Sequence, residues 1–163
     1  MEHLLLLLAA ILTTGLVPTP APPSRGVQPC PVTISNQNQP PASVLAKAGM
    51  PEGTKLHGNG QLWTSLWPDG NVVFRARGSG LILADGSLRM KFLWVLAGGD
   101  SPLSLEGRWL DGDAKPLRSV IAEGFVGAGF QPSYLIFPTT GCWEVTAHAN
   151  GSTLTFVTRV TTG

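Results

Sequence analysis

Residues 142–160 read CWEVTAHANGSTLTFVTRV, and this stretch decides the fold. Before the Asn150-Gly151 pair, Trp143, Val145, Ala147 and Ala149 alternate with Glu144, Thr146 and His148. After it, Leu154, Phe156, Thr158 and Val160 alternate with Thr155, Val157 and Arg159. Side chains alternate across a strand, so a period of two is the signature of a half-buried β-strand. Asn-Gly supplies the two positive-φ positions of a tight type I′ turn. The segment is therefore a β-hairpin with Trp143, Val145, Leu154 and Phe156 toward the core.

The same pattern extends toward the N-terminus. Leu88, Met90, Phe92, Trp94 and Leu96 alternate with Arg89, Lys91, Leu93 and Val95, and Leu103, Leu105, Gly107 and Trp109 alternate with Ser104, Glu106 and Arg108. Shorter strand candidates lie at 61–66, 72–75, 81–83, 119–121 and 134–137. Asp69-Gly70, Asp85-Gly86 and Asp111-Gly112 punctuate them as turns. About nine short strands at this spacing predict an all-β sandwich or barrel.

Composition agrees. The 163 residues suit one domain, and 43% of them are hydrophobic, enough for one core. The charged fraction is 13% and the net charge +1, which excludes a coiled coil, a basic nucleic-acid binder and an acidic disordered tail.

The N-terminus is a processing signal followed by a tether. Residues 4–17 form an uncharged, largely apolar run, long enough for a signal peptide and short of the ~20 residues that span a bilayer. Residues 18–41 hold eight of the 14 prolines, which removes amide donors and fixes φ, so an extended arm is expected there. Within it, 31–34 is the one β-like patch, and 42–48 suits a short helical turn before Gly49. The expected division is a signal peptide at 1–21, a Pro-rich extended arm at 22–50 and a β-sandwich at 51–163. Localisation follows as secreted or cell envelope, with membrane contact only through an uncleaved signal.

Cys30-Pro31-Val32-Thr33, Gly60-Gln61-Leu62-Trp63, Leu105-Glu106-Gly107-Arg108-Trp109-Leu110-Asp111, Pro138-Thr139-Thr140-Gly141-Cys142-Trp143-Glu144-Val145 and Leu154-Thr155-Phe156-Val157 stand in this order. Together they resemble a family of uncharacterised secreted bacterial proteins. Trp109 stands where that pattern has a second Arg. The resemblance implies an exported immunoglobulin-like sandwich and carries no activity with it.

Cys30 and Cys142 are expected to pair in an oxidising compartment. Trp143 points to the core, so Cys142 points away from it, and the bond would pin the arm to the penultimate strand rather than join the sheets. The alternative is two reduced, partly buried thiols.

Candidate chemistry is sparse. His57 and His148 are expected as solvated side chains; with Met50 or Cys142 they miss the ligand pattern of a copper site. Asp111 and Asp113 flank a glycine in a polar loop and suit a solvated turn. Gly-x-Ser-x-Gly is missing from the sequence, and the glycine run at 124–129 lacks the Lys of a phosphate loop. No cofactor or metal is expected. Asn150-Gly151-Ser152 matches a glycosylation acceptor, but the hairpin turn explains it without one. Trp63 and Trp67 share one face of an extended segment; they are either packed or form an exposed aromatic platform for a glycan or peptide. The leading expectation is a non-enzymatic exported module with a structural or macromolecule-binding role and an unknown protein or glycan partner. A carbohydrate- or peptide-binding module using Trp63 and Trp67 is the first alternative. A secreted hydrolase assembled by folding is the second.

Overall fold

A computed structural model describes residues 29–75, 78, 80–98, 102–125 and 129–163. The leader read at 1–21 and the first part of the arm lie outside these residues. The described chain is an all-β sandwich with one short helix. Its strands are β1 (His57–Gly58), β2 (Leu62–Thr64), β3 (Asn71–Phe74), β4 (Leu81–Ile82), β5 (Leu88–Leu96), β6 (Ser104–Trp109), β7 (Arg118–Ile121), β8 (Phe130–Phe137), β9 (Gly141–Ala149) and β10 (Ser152–Thr162).

One sheet runs β1-β2-β5-β8-β7, with β4 also on β5. The other runs β3-β10-β9-β6. All pairings are antiparallel except that of β3 with the end of β10. The β9–β10 hairpin forms as expected: Asn150 (φ 51°) and Gly151 (φ 72°) make the turn, and Ala149 faces Ser152. Not every Asp-Gly pair closes a hairpin. Asp85-Gly86 joins β4 to β5, whereas Asp69-Gly70 and Asp111-Gly112 lie where the chain crosses between sheets. Positive φ reverses the chain in either setting and does not name the next partner.

The two inner faces meet through aromatic rings. Phe92 lies 5.8 Å from Phe156 and 6.3 Å from Trp94, and Phe137 meets Trp143 edge-on at 5.7 Å. Burial of such side chains is worth about 1.5–3 kcal/mol each. Trp94 and Trp143 are fully buried, while Trp109, on the edge strand β6, is only partly so.

Strand β8 begins at Phe130, earlier than the sequence pattern indicates, and carries Pro132 in its interior. A central strand normally excludes proline. Here the pairing of β7 ends opposite Ser133, so the missing amide of Pro132 falls past it, and the Pro132 carbonyl accepts the Ala122 N–H at 3.0 Å.

The helix α1 (Ala42–Lys47) follows Pro40-Pro41 and stops at Gly49. Gly49 N–H donates to the Ala46 carbonyl and Met50 N–H to the Leu45 carbonyl, the two bonds of a Schellman ending, with Gly49 at φ 66°. Val44, Ala48 and Met50 cover Trp63, Val95 and Phe130 as a second, smaller apolar cluster. This cluster lies on the outer face of the six-stranded sheet.

Both sides of the sandwich are closed. On one, Leu117 N–H donates to the Gly107 carbonyl at 3.1 Å and joins the edges β6 and β7. Gly107 permits that approach, because a Cβ there would sit 2.9 Å from Leu117 Cδ2 and 3.0 Å from Leu117 Cβ. On the other, residues 30–38 act as a strap across both sheets.

Candidate functional site

The strap is the element that carries the cysteine chemistry. It is fastened first to β10: Thr33 N–H donates to the Val157 carbonyl and Val157 N–H to the Thr33 hydroxyl, both at 2.8 Å. So the β-like patch at 31–34 does pair, as a short stretch beside β10. Farther along, the Asn36 amide accepts Gly58 N–H at 3.1 Å and donates to the Gly58 carbonyl at 2.7 Å, standing in for a neighbouring strand. Asn38 bridges Leu56, and its side-chain oxygen accepts the Trp63 indole N–H. Few free amides are needed for this path, because side chains and two backbone amides, those of Thr33 and Asn36, do most of the pairing.

Cys30 and Cys142 form a disulfide with Cα atoms 5.5 Å apart and 112 residues of separation. Cys142 is 2% exposed and lies on the outer face, opposite Arg159 of β10. The bond pins the strap to the start of β9 and does not run between the sheets, as its position beside core-facing Trp143 predicts. Asp111 joins this corner. Its carboxylate accepts Cys142 N–H at 2.8 Å, and Leu110 N–H donates to the Cys142 carbonyl. Asp111 therefore holds the mouth of β9 as well as its own turn.

Around the disulfide is an open groove of about 1030 Å³, lined among others by Pro31, Asp111, Thr140, Arg159 and Thr161. A guanidinium, a carboxylate and hydroxyls stand there beside proline rings, so the surface is of mixed polarity. Close to it, the indole nitrogen of Trp109 is buried and unpartnered among the described residues.

Trp63 and Trp67 do not form a shared platform. Trp63 is 0% exposed, beneath α1 and bonded to Asn38. Trp67 is half-buried against the main core, its ring 4.5 Å from Phe92. Because β2 ends at Thr64, the period of two does not carry from one to the other.

His57 is also displaced from expectation. It is 8% exposed, not solvated, and its Nδ1 accepts the Asn36 N–H at 3.4 Å. Burial pushes its imidazole below the usual histidine value. His148 does lie on an outer face, between Glu106 (3.3 Å) and the Thr153 hydroxyl (3.0 Å). Carboxylate, imidazole and hydroxyl thus align across β6, β9 and β10. The pattern was missed because Glu106 lies far from His148 in the sequence. An imidazole so placed can polarise a hydroxyl, but the side chains of His148 and Glu106 are 43% and 72% exposed, open to bulk water. Asp113 lies exposed in the β6–β7 loop. Among the described residues no group of three or more His, Cys, Asp or Glu could hold a metal ion. The chain matches no protein-family model, and comparison with curated proteins finds no match.

Proposed function

We propose that this protein is a non-enzymatic, exported immunoglobulin-like module of the cell envelope or extracellular space, with a structural or macromolecule-binding role. The observation that carries this reading is the strap locked by Cys30–Cys142. A covalent tie over such a long loop stabilises a fold only where thiols are oxidised. The uncharged run at 4–17 and the resemblance to secreted immunoglobulin-like proteins point the same way. Fold alone assigns no task, so the partner is inferred from surfaces.

The test is the intact mass of the protein recovered outside the cytoplasm, with and without reductant before thiol alkylation. Loss of about 15 to 25 N-terminal residues, with no alkylation until reduction, supports export. An uncleaved chain with two alkylated thiols overturns it. A secreted hydrolase is the second reading, favoured by the Glu106–His148–Thr153 row. Hydrolysis of an activated ester that disappears in both His148→Asn and Thr153→Val would replace the first reading with the second.

A further inference from the structure

The outer face of the six-stranded sheet is only partly covered. Near β2 it is roofed by Val44, Ala48 and Met50. Farther along β5, β8 and β7 no helix lies over the same face among the described residues, although Pro132 and Ile136 are buried there by their neighbours. Register places Lys91, Tyr134 and Val120 in one row across three strands. Leu93 opposite Pro132 flanks this row on the α1 side, and Arg89, Ile136 and Arg118 flank it on the other. Val120 is 51% and Tyr134 37% exposed.

The rim is basic. The Arg89 guanidinium stands 4.7 Å over the Tyr134 ring, Lys91 is exposed, and Arg118 pairs at 2.9 Å with Asp85. Strand dimensions put Arg89 and Lys91 about 7 Å apart along β5, and Arg118 about 10 Å across the sheet from Arg89.

We propose that this open half-face docks an acidic amphipathic segment of a partner protein, laid beside α1. Three features favour that occupant. The covered half already takes apolar side chains from a short helix of the chain itself, and the open half continues the same surface. The excess of cations around an apolar strip calls for carboxylates on the partner. Tyr and Arg together are the residues enriched where proteins meet. On the four-stranded sheet of a second copy, Glu144 is already paired with Arg108 and Glu106 is hydrogen-bonded to His148. This inference rests on the binding-module reading above and names its partner chemistry.

The test uses the exported, disulfide-bonded protein and a labelled 16-residue peptide with Leu on one helical face and Glu on the other. Binding with Kd below about 100 μM is expected, with amide shifts at Leu93, Val120 and Tyr134. Lys91→Glu with Arg118→Gln should weaken it about tenfold or more, while Arg108→Gln on the other sheet leaves it unchanged. Unchanged melting temperatures show that the variants fold. Lack of binding, or binding indifferent to Lys91 and Arg118, overturns the proposal. So does transfer of the same residue dependence to phosphatidylglycerol vesicles or to self-association. Failure of the peptide on a protein proven to be exported rejects this surface alone, whereas a chain that is never exported rejects the module reading itself.

Discussion

The Trp63 indole N–H donates to the Asn38 side-chain oxygen at 2.5 Å, joining a fully buried ring of β2 to the strap 25 residues before it. Trp63 has no water to turn to, so Asn38 satisfies its polar atom. At the same time the strap is held over the edge of the six-stranded sheet. Asn38→Ala should therefore cost about 1–3 kcal/mol, the penalty for a buried donor left unpaired. Gln37→Ala, a neighbour that is exposed, should cost little. Urea unfolding of the two variants checks the difference.

Much of the sandwich was legible because its strands are locally written. The β9–β10 hairpin needs only period two and Asn150-Gly151, both contiguous in sequence. The outer-face position of the disulfide followed from the parity of Trp143. What stayed hidden depends on distant partners. His57 lies in a loop-like sequence, yet Asn36 comes from 21 residues away to build an edge that buries it. Trp63 and Trp67 share a parity in sequence, but the chain leaves β2 after Thr64 and separates them. The half-open outer face could not be foreseen either, since only register across β5, β8 and β7 brings Lys91, Tyr134 and Val120 into a row.

The disulfide should be a major part of stability. Cys30 and Cys142 close a loop of 112 residues, and the strap that the bond anchors holds edges of both sheets. The double variant Cys30→Ser/Cys142→Ser should lose about 2–5 kcal/mol. Thr33→Val removes the hydroxyl that Val157 N–H uses and should cost about 1 kcal/mol. Equilibrium unfolding of oxidised, reduced and variant protein gives these values. Equal stability of the oxidised and reduced forms would show that the strap holds without its covalent tie.

Acid should weaken the fold through His57. Burial lowers its folded-state pKa below the unfolded value, so the unfolded chain binds the proton more readily. The sign follows from linkage: stability is fully present above the unfolded value of about 6.5 and falls as pH drops below it. His57→Asn keeps an acceptor for Asn36 N–H and removes the titration. The fall in melting temperature from pH 7.5 to pH 5 should be smaller in His57→Asn than in the parent.

Among the described glycines, Gly58 is the one where an added Cβ would meet a neighbour most closely. A Cβ there would lie 2.0 Å from Trp63 Cδ1 and 2.5 Å from Cγ, inside a buried ring that Asn38 holds in place. The ring cannot swing aside without giving up that bond and its contacts with Val95 and Ala48. Gly58→Ala should thus cost about 3 kcal/mol or more, at or beyond the usual range for overpacking. Gly60→Ala serves as the comparison. Its φ of +92° strains any Cβ, but nothing lies within 4 Å, so a loss of about 1–2 kcal/mol is expected. Trp63→Leu removes the obstructing ring at its own cost in packing. If collision with Trp63 is the cause, Gly58→Ala added to Trp63→Leu should cost far less than Gly58→Ala alone. Additive losses in that double-mutant cycle would place the fault in the backbone of β1, not in the ring.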